Sequence, residues 1–172
     1  HLLSHFLDMR EPITGRMPEL HGLQLRMGIL LSTACYRRLA HISKSDLPKS
    51  ADRCYQQTEE RIADIWHYLA PEVTAQFQGK RETLLSFSER VPDNWDKLMA
   101  LFRKVQSPDY YFDLFSRIGT PFTLKNFSLD ETEFRLAAQN CRAIRNRVTV
   151  LDFAAHAGVL DDAVEDVLSF MN

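Results

Sequence analysis

Apolar residues recur along most of this chain at intervals of three and four, interrupted only by short stretches rich in proline, glycine, serine or aspartate. That spacing builds one face of an α-helix, whereas a strand needs strict alternation. The clearest case begins at Leu23, where Met27, Leu30, Leu31, Ala34 and Cys35 share a face. Leu25, Ile29, Tyr36 and Leu39 add apolar surface on other sides, so the pattern predicts a central helix buried nearly all round. Arg37 and Arg38 suit its C-terminal end, where the helix dipole favours cations.

Further helices follow. Ser43 to Ser50 reads as a loop, and a second long helix starts near Ala51 with Ile62, Ile65 and Leu69 inward and Pro71 as its stop. One helix is expected over Glu72 to Arg90 and a shorter one after Pro92. Ser107-Pro108 is a cap with proline at the first helical position, and that helix runs to Gly119. Gly119 to Phe127 is loop-like, and Ser128 to Glu131 reads as a capping box. Thr149 to Asp152 caps a short helix closed by Gly158, and Leu160-Asp161 opens the last. The only β-branched run is Val148 to Leu151, which leaves no material for a sheet. The expected fold is all-α, a multi-helix bundle forming a single domain over residues 1–172. Its expected core includes Leu23, Met27, Leu30, Leu31, Ala34, Ile62, Ile65, Trp66, Phe102, Leu114, Phe115, Phe134 and Ala138.

Composition narrows the function. The formal net charge is −2 with no long block of one sign, which gives no electrostatic basis for nucleic-acid binding or a membrane surface. The longest apolar stretch, around Met27 to Leu31, is too short to span a bilayer. Cys35, Cys54 and Cys141 are scattered and form no Cys-x-x-Cys pair, so a reducing, cytoplasmic setting is expected. The six glycines form no dinucleotide fingerprint, P-loop or nucleophile elbow.

The residues with chemical potential are histidines. His1 and His5 stand four apart, on one side of a helix, and His21-Gly22 opens the next helix after a loop containing Pro12, Gly15 and Pro18. Imidazoles are common metal ligands, and two helices can build an open site if a carboxylate completes it. The same pair is also compatible with ordinary surface histidines. His41, His67 and His156 lack such clustering and read as loop, helix-surface or core-edge residues.

The segment His1-Leu2-Leu3-Ser4-His5-Phe6-Leu7-Asp8-Met9, followed by Leu20-His21-Gly22-Leu23-Gln24, resembles the sn-glycerol-1-phosphate dehydrogenases. These belong to the wider group of dehydroquinate synthases, glycerol dehydrogenases and iron-containing alcohol dehydrogenases. Ile144 to Asp152 is similar to the family's Ile-Arg-(Asp)-Arg-Tyr-Thr-Ile-Leu segment, and Gly119-Thr120-Pro121 to its Gly-(Ala/Thr)-Pro turn. The middle, about Asp46 to Gln106, offers little to match.

The resemblance implies the C-terminal helical half of a two-domain enzyme. His1 and His21 would bind a divalent metal (zinc, nickel or iron) with an upstream aspartate, and His5 would handle a substrate proton or oxygen. Arg145 and Arg147 are candidates for holding the phosphate of a polyol phosphate substrate. NAD(P) would be bound mainly by an N-terminal domain lying upstream, so this chain alone is expected to be inactive. The face bearing the histidines would meet that domain or a second copy in a homodimer. Leu23 stands where the family has Glu, Leu25-Arg26 where it has Val-Gly, and Val148 where it has Tyr. Loss of the Glu would loosen support for His21, and Arg26 would add a charge near the metal. The rival readings are another alcohol or polyol dehydrogenase of the same group, and a non-enzymatic helical interaction domain.

Overall fold

A computed structural model describes residues 1–17, 19–119 and 122–171. Ten α-helices account for most of them: α1 (Leu2–Thr14), α2 (His21–Leu39), α3 (Asp52–Trp66), α4 (Ala70–Gln78), α5 (Arg81–Arg90), α6 (Trp95–Phe102), α7 (Pro108–Arg117), α8 (Glu131–Asn140), α9 (Val150–His156) and α10 (Leu160–Met171). Short 3-10 turns join several of them, and no strand occurs among the described residues. The all-α expectation holds.

Helix α2 is the hub. It packs against α1, α6, α7, α9 and α10, and Met27, Leu30, Leu31, Ala34, Cys35 and Leu39 are fully enclosed. Helices α3 and α4 form a second layer that meets the rest through the 3-10 turn Cys141–Ile144, which also contacts α1 and α8. All four residues of that turn are buried. Trp66 and Phe6 meet edge to face with ring centres 4.9 Å apart, tying α3 to α1.

Several local expectations are corrected. Pro71 does not end α3: that helix stops at Trp66, His67 takes a left-handed φ of 47°, and Pro71 sits in the first turn of α4. Proline is harmless there because the first-turn N–H groups have no helical partner. The single helix expected over Glu72 to Arg90 is two, broken at Gly79-Lys80, where Lys80 turns into the interior. The capping box before α8 is Asp130 with Glu133, and Ser128 adopts a left-handed conformation with φ 51°. Pro12 lies within the last turn of α1, which Gly15 closes at φ 68°. Pro18, Thr120 and Pro121 lie outside the described residues, and with them most of the Gly-Thr-Pro turn.

The core is as expected at Met27, Leu30, Leu31, Ala34, Ile62, Ile65, Trp66, Phe115, Phe134 and Ala138. Leu23 and Phe102 are half-buried, and Leu114 is exposed. Helix α7 is contacted mainly from α2, so it buries the Phe115 side of its stripe and leaves Leu114 outward.

Candidate metal and substrate site

The first residues of α1 and the first turn of α2 run side by side, and this brings His1, His5 and His21 together. Their ring centres are 4.4 Å apart for His1–His5, 5.2 Å for His1–His21 and 5.7 Å for His5–His21. The close approach depends on Gly28, two helical turns beyond His21: a Cβ there would lie 3.2 Å from the backbone nitrogen of His1. Two imidazoles bound tetrahedrally to one ion, with Zn–N bonds of about 2.1 Å, place their ring centres roughly 5 Å apart. The His1–His21 spacing fits that requirement. Among the described residues no group of three or more His, Cys, Asp or Glu is placed to hold a metal ion by itself. The fit therefore extends to an imidazole pair that needs a further ligand.

A hydrogen-bond chain behind His21 fixes which of its nitrogens faces outward. Gln24 Nε2 donates to Asp8 Oδ1 at 2.9 Å, which turns its Oε1 toward Ser4. Ser4 has one hydroxyl proton, and it goes to Gln24 Oε1. The Ser4 oxygen is then an acceptor for His21, whose Nδ1 lies 2.7 Å away, so Nδ1 carries the ring proton. His21 Nε2 is then the nitrogen left to bind a metal ion. Ser4 and Gln24 are both buried, and Asp8 Oδ2 lies 3.7 Å from His21 Nδ1. Support for His21 comes from this chain and does not need a carboxylate at Leu23.

Ser4, Asp8 and Gln24 carried no role in the sequence reading. Their signal was polarity where the helix pattern calls for apolar residues: Ser4 lies on an otherwise buried face of α1, with Asp8 one turn on, and Gln24 one turn after His21.

His5 is half-buried, and burial, followed by the positive charge of Arg145, lowers its pKa below the usual imidazole range. It is therefore held neutral near pH 7. Arg147 joins His1, Gly28 and Ser32 around a cleft of about 200 Å³. A second cleft, of about 420 Å³, shares His1, Gly28 and Ser32 with the first and extends to Ile29 and Tyr111. Both candidate phosphate-binding arginines thus stand on the histidine side of the molecule. Arg26 lays its guanidinium over the Phe115 ring at 5.8 Å. Leu20 and Met17, 73% and 74% exposed, flank the loop into His21 and make that rim apolar.

The other histidines stay apart from the cluster. His41 is exposed and donates from Nδ1 to the Arg37 carbonyl at 2.7 Å, and His67 is exposed at the α3–α4 corner. His156 is in the interior rather than at the core edge, with Nδ1 lacking a hydrogen-bond partner. Burial alone lowers its pKa. The folded state then prefers the neutral ring, so its contribution to stability is intact above the unfolded pKa of about 6.5 and is lost as pH falls below it. Urea unfolding should show stability falling between about pH 7.5 and about pH 5.5, with a shallower fall in His156→Leu. An unchanged slope in that variant would assign the proton uptake elsewhere.

No helix among the described residues is long and apolar enough to cross a membrane. Comparison with protein families, curated proteins and solved structures found no match to the chain.

Proposed function

We propose that this chain is the metal- and substrate-binding half of a cytoplasmic, NAD(P)-dependent oxidoreductase that interconverts dihydroxyacetone phosphate and sn-glycerol-1-phosphate. The observation that carries the reading is the convergence of His1, His5 and His21, with His21 Nε2 left free by the Ser4–Gln24–Asp8 chain. His1 and His21 would hold a divalent ion together with a carboxylate supplied from outside the described residues. When bound, such an ion polarises the ketone oxygen so that a hydride is accepted at the adjacent carbon.

This chain's own residues do the rest. In the reducing direction, once the ketone carbon has accepted a hydride, which NAD(P)H would supply, the oxygen needs one proton to become the product hydroxyl. His5 stands against His1 and is neutral at physiological pH, so it can pass that proton from solvent and return to the same state. Arg147, at the mouth of the His1 cleft, and Arg145, whose charge acts on His5, suit the phosphate. The nicotinamide would be presented by an upstream α/β domain.

The test is oxidation of NAD(P)H by the full-length protein with dihydroxyacetone phosphate and with dihydroxyacetone. The phosphorylated ketone should be strongly preferred, and Arg147→Ala should erase roughly 10–100-fold of that preference, the worth of a charge-assisted hydrogen bond. Equal turnover of the two ketones would move the substrate to an unphosphorylated polyol. No turnover of either would leave the interaction-domain reading.

A further inference from the structure

We propose that helix α7 is a docking face for a second copy of this chain, the two α7 helices lying antiparallel about a two-fold axis at Leu114.

One side of α7 is packed and the other is not. Phe115 is buried beside Arg26 of α2, and Asp109 at the other end of α7 pairs with Arg37 at 2.9 Å, so α7 runs antiparallel to α2. Tyr110, Leu114 and Ile118, each one helical turn beyond the last, are 52%, 40% and 66% exposed. Ile29 is exposed too, and it shares a cleft with the half-buried Leu25 and Tyr111. The Tyr111 ring lies 5.3 Å from that of Tyr110, which joins the two groups into one apolar face. A face of this kind is where another surface docks.

The charges beside the stripe choose the occupant. Asp113 and Arg117 are exposed on the side of the stripe away from α2, and neither makes an ion pair among the described residues. The acid lies toward the N-terminus and the base toward the C-terminus. A parallel pair of such helices would set like charge against like. In an antiparallel pair with Leu114 on Leu114, Tyr110 of each copy packs on Ile118 of the other. A two-fold axis brings like sides of the helices together, so Asp113 of each copy meets Arg117 of the other, twice. The helix dipoles then also oppose. A membrane surface would call for a rim rich in lysine and arginine, and this rim carries one charge of each sign. So short a contact belongs at the low end of specific interfaces, about 1,200 Å² in total, which makes a dimer that dissociates on dilution.

The experiment is interchain cross-linking of the full-length protein in a buffer of reduced and oxidised glutathione. Leu114→Cys sets two thiols across the axis at disulfide range and should cross-link at least about tenfold faster than Tyr68→Cys, an equally exposed control. In the Leu114→Cys background, Asp113→Arg gives copies with two cations and Arg117→Asp gives copies with two anions. Each alone should slow the cross-link at least about tenfold, and an equal mixture of the two should restore it, because opposite charges meet again. Restoration on mixing also shows that both variants are folded. A cross-link no faster than that of Tyr68→Cys would overturn the proposal. So would charge swaps without effect, or swaps whose loss mixing does not repair. Neither readout involves metal or turnover, so failure here leaves the proposed oxidoreductase activity untouched.

Discussion

Asp152→Ala should destabilise the protein by about 3–5 kcal/mol, because it leaves Lys80 and Arg142 facing each other in the interior with no carboxylate between them. The same change removes the side-chain half of the Thr149–Asp152 capping box at the start of α9, worth about a further 1 kcal/mol. Against a typical total stability of about 5–15 kcal/mol, much of the population would be unfolded near body temperature. Lys80→Met should cost clearly less. It removes one of the two cations, keeps Asp152 beside Arg142 and leaves the cap in place. Equilibrium urea denaturation of both variants gives the order directly. Asp152→Ala within about 1 kcal/mol of wild type would mean that the cluster is not charged as its hydrogen bonds imply.

His21→Ala should cause the largest functional loss. In the full-length protein, affinity for Zn²⁺ should fall by more than the roughly 10–100-fold typical of losing a residue that merely supports a ligand. Turnover should fall with it. Ser4→Ala should stay within that smaller range, since it keeps the imidazole but releases its tautomer and strands Gln24 Oε1. His156→Ala should change neither metal affinity nor turnover, as its ring is sealed away from the cluster. The ranking His21 above Ser4 above His156 separates a ligand, its positioning residue and a core histidine. Competitive Zn²⁺ titration reads all three. Retention of tight metal binding by His21→Ala would break the ligand assignment even with the fold intact.

What could be read from the sequence follows the range of the interactions. Helix α2 was legible as central because its apolar residues fall on several faces, and α2 is the hub, although Ile29 is exposed and Leu23, Leu25 and Tyr36 are only half-buried. The Thr149–Asp152 cap was legible because its partners are three residues apart. The break at Gly79-Lys80 was not. Lys80 is turned inward there to an ion pair with Asp152, a partner 72 residues away that a local pattern cannot show. Leu114 was misplaced for a similar reason: α7 is covered from one side only, which periodicity cannot show. The histidines were legible as residue types, four apart and then at a helix start. The network that orients His21 joins residues 16 to 20 positions apart and depends on how α1 lies against α2.

The most direct test is a long-range ¹H–¹⁵N spectrum of the histidine rings in the full-length protein, before and after one equivalent of Zn²⁺. Without metal, His21 should carry a proton on Nδ1, as its hydrogen bond to Ser4 requires. With Zn²⁺, His21 Nε2 and one nitrogen of His1 should move together to metal-bound shifts, while His41, His67 and His156 stay where they were. An unprotonated His21 Nδ1 before metal, or zinc-induced shifts at His41 or His67 with none at His1 and His21, would contradict the assignment of this cluster as a metal site.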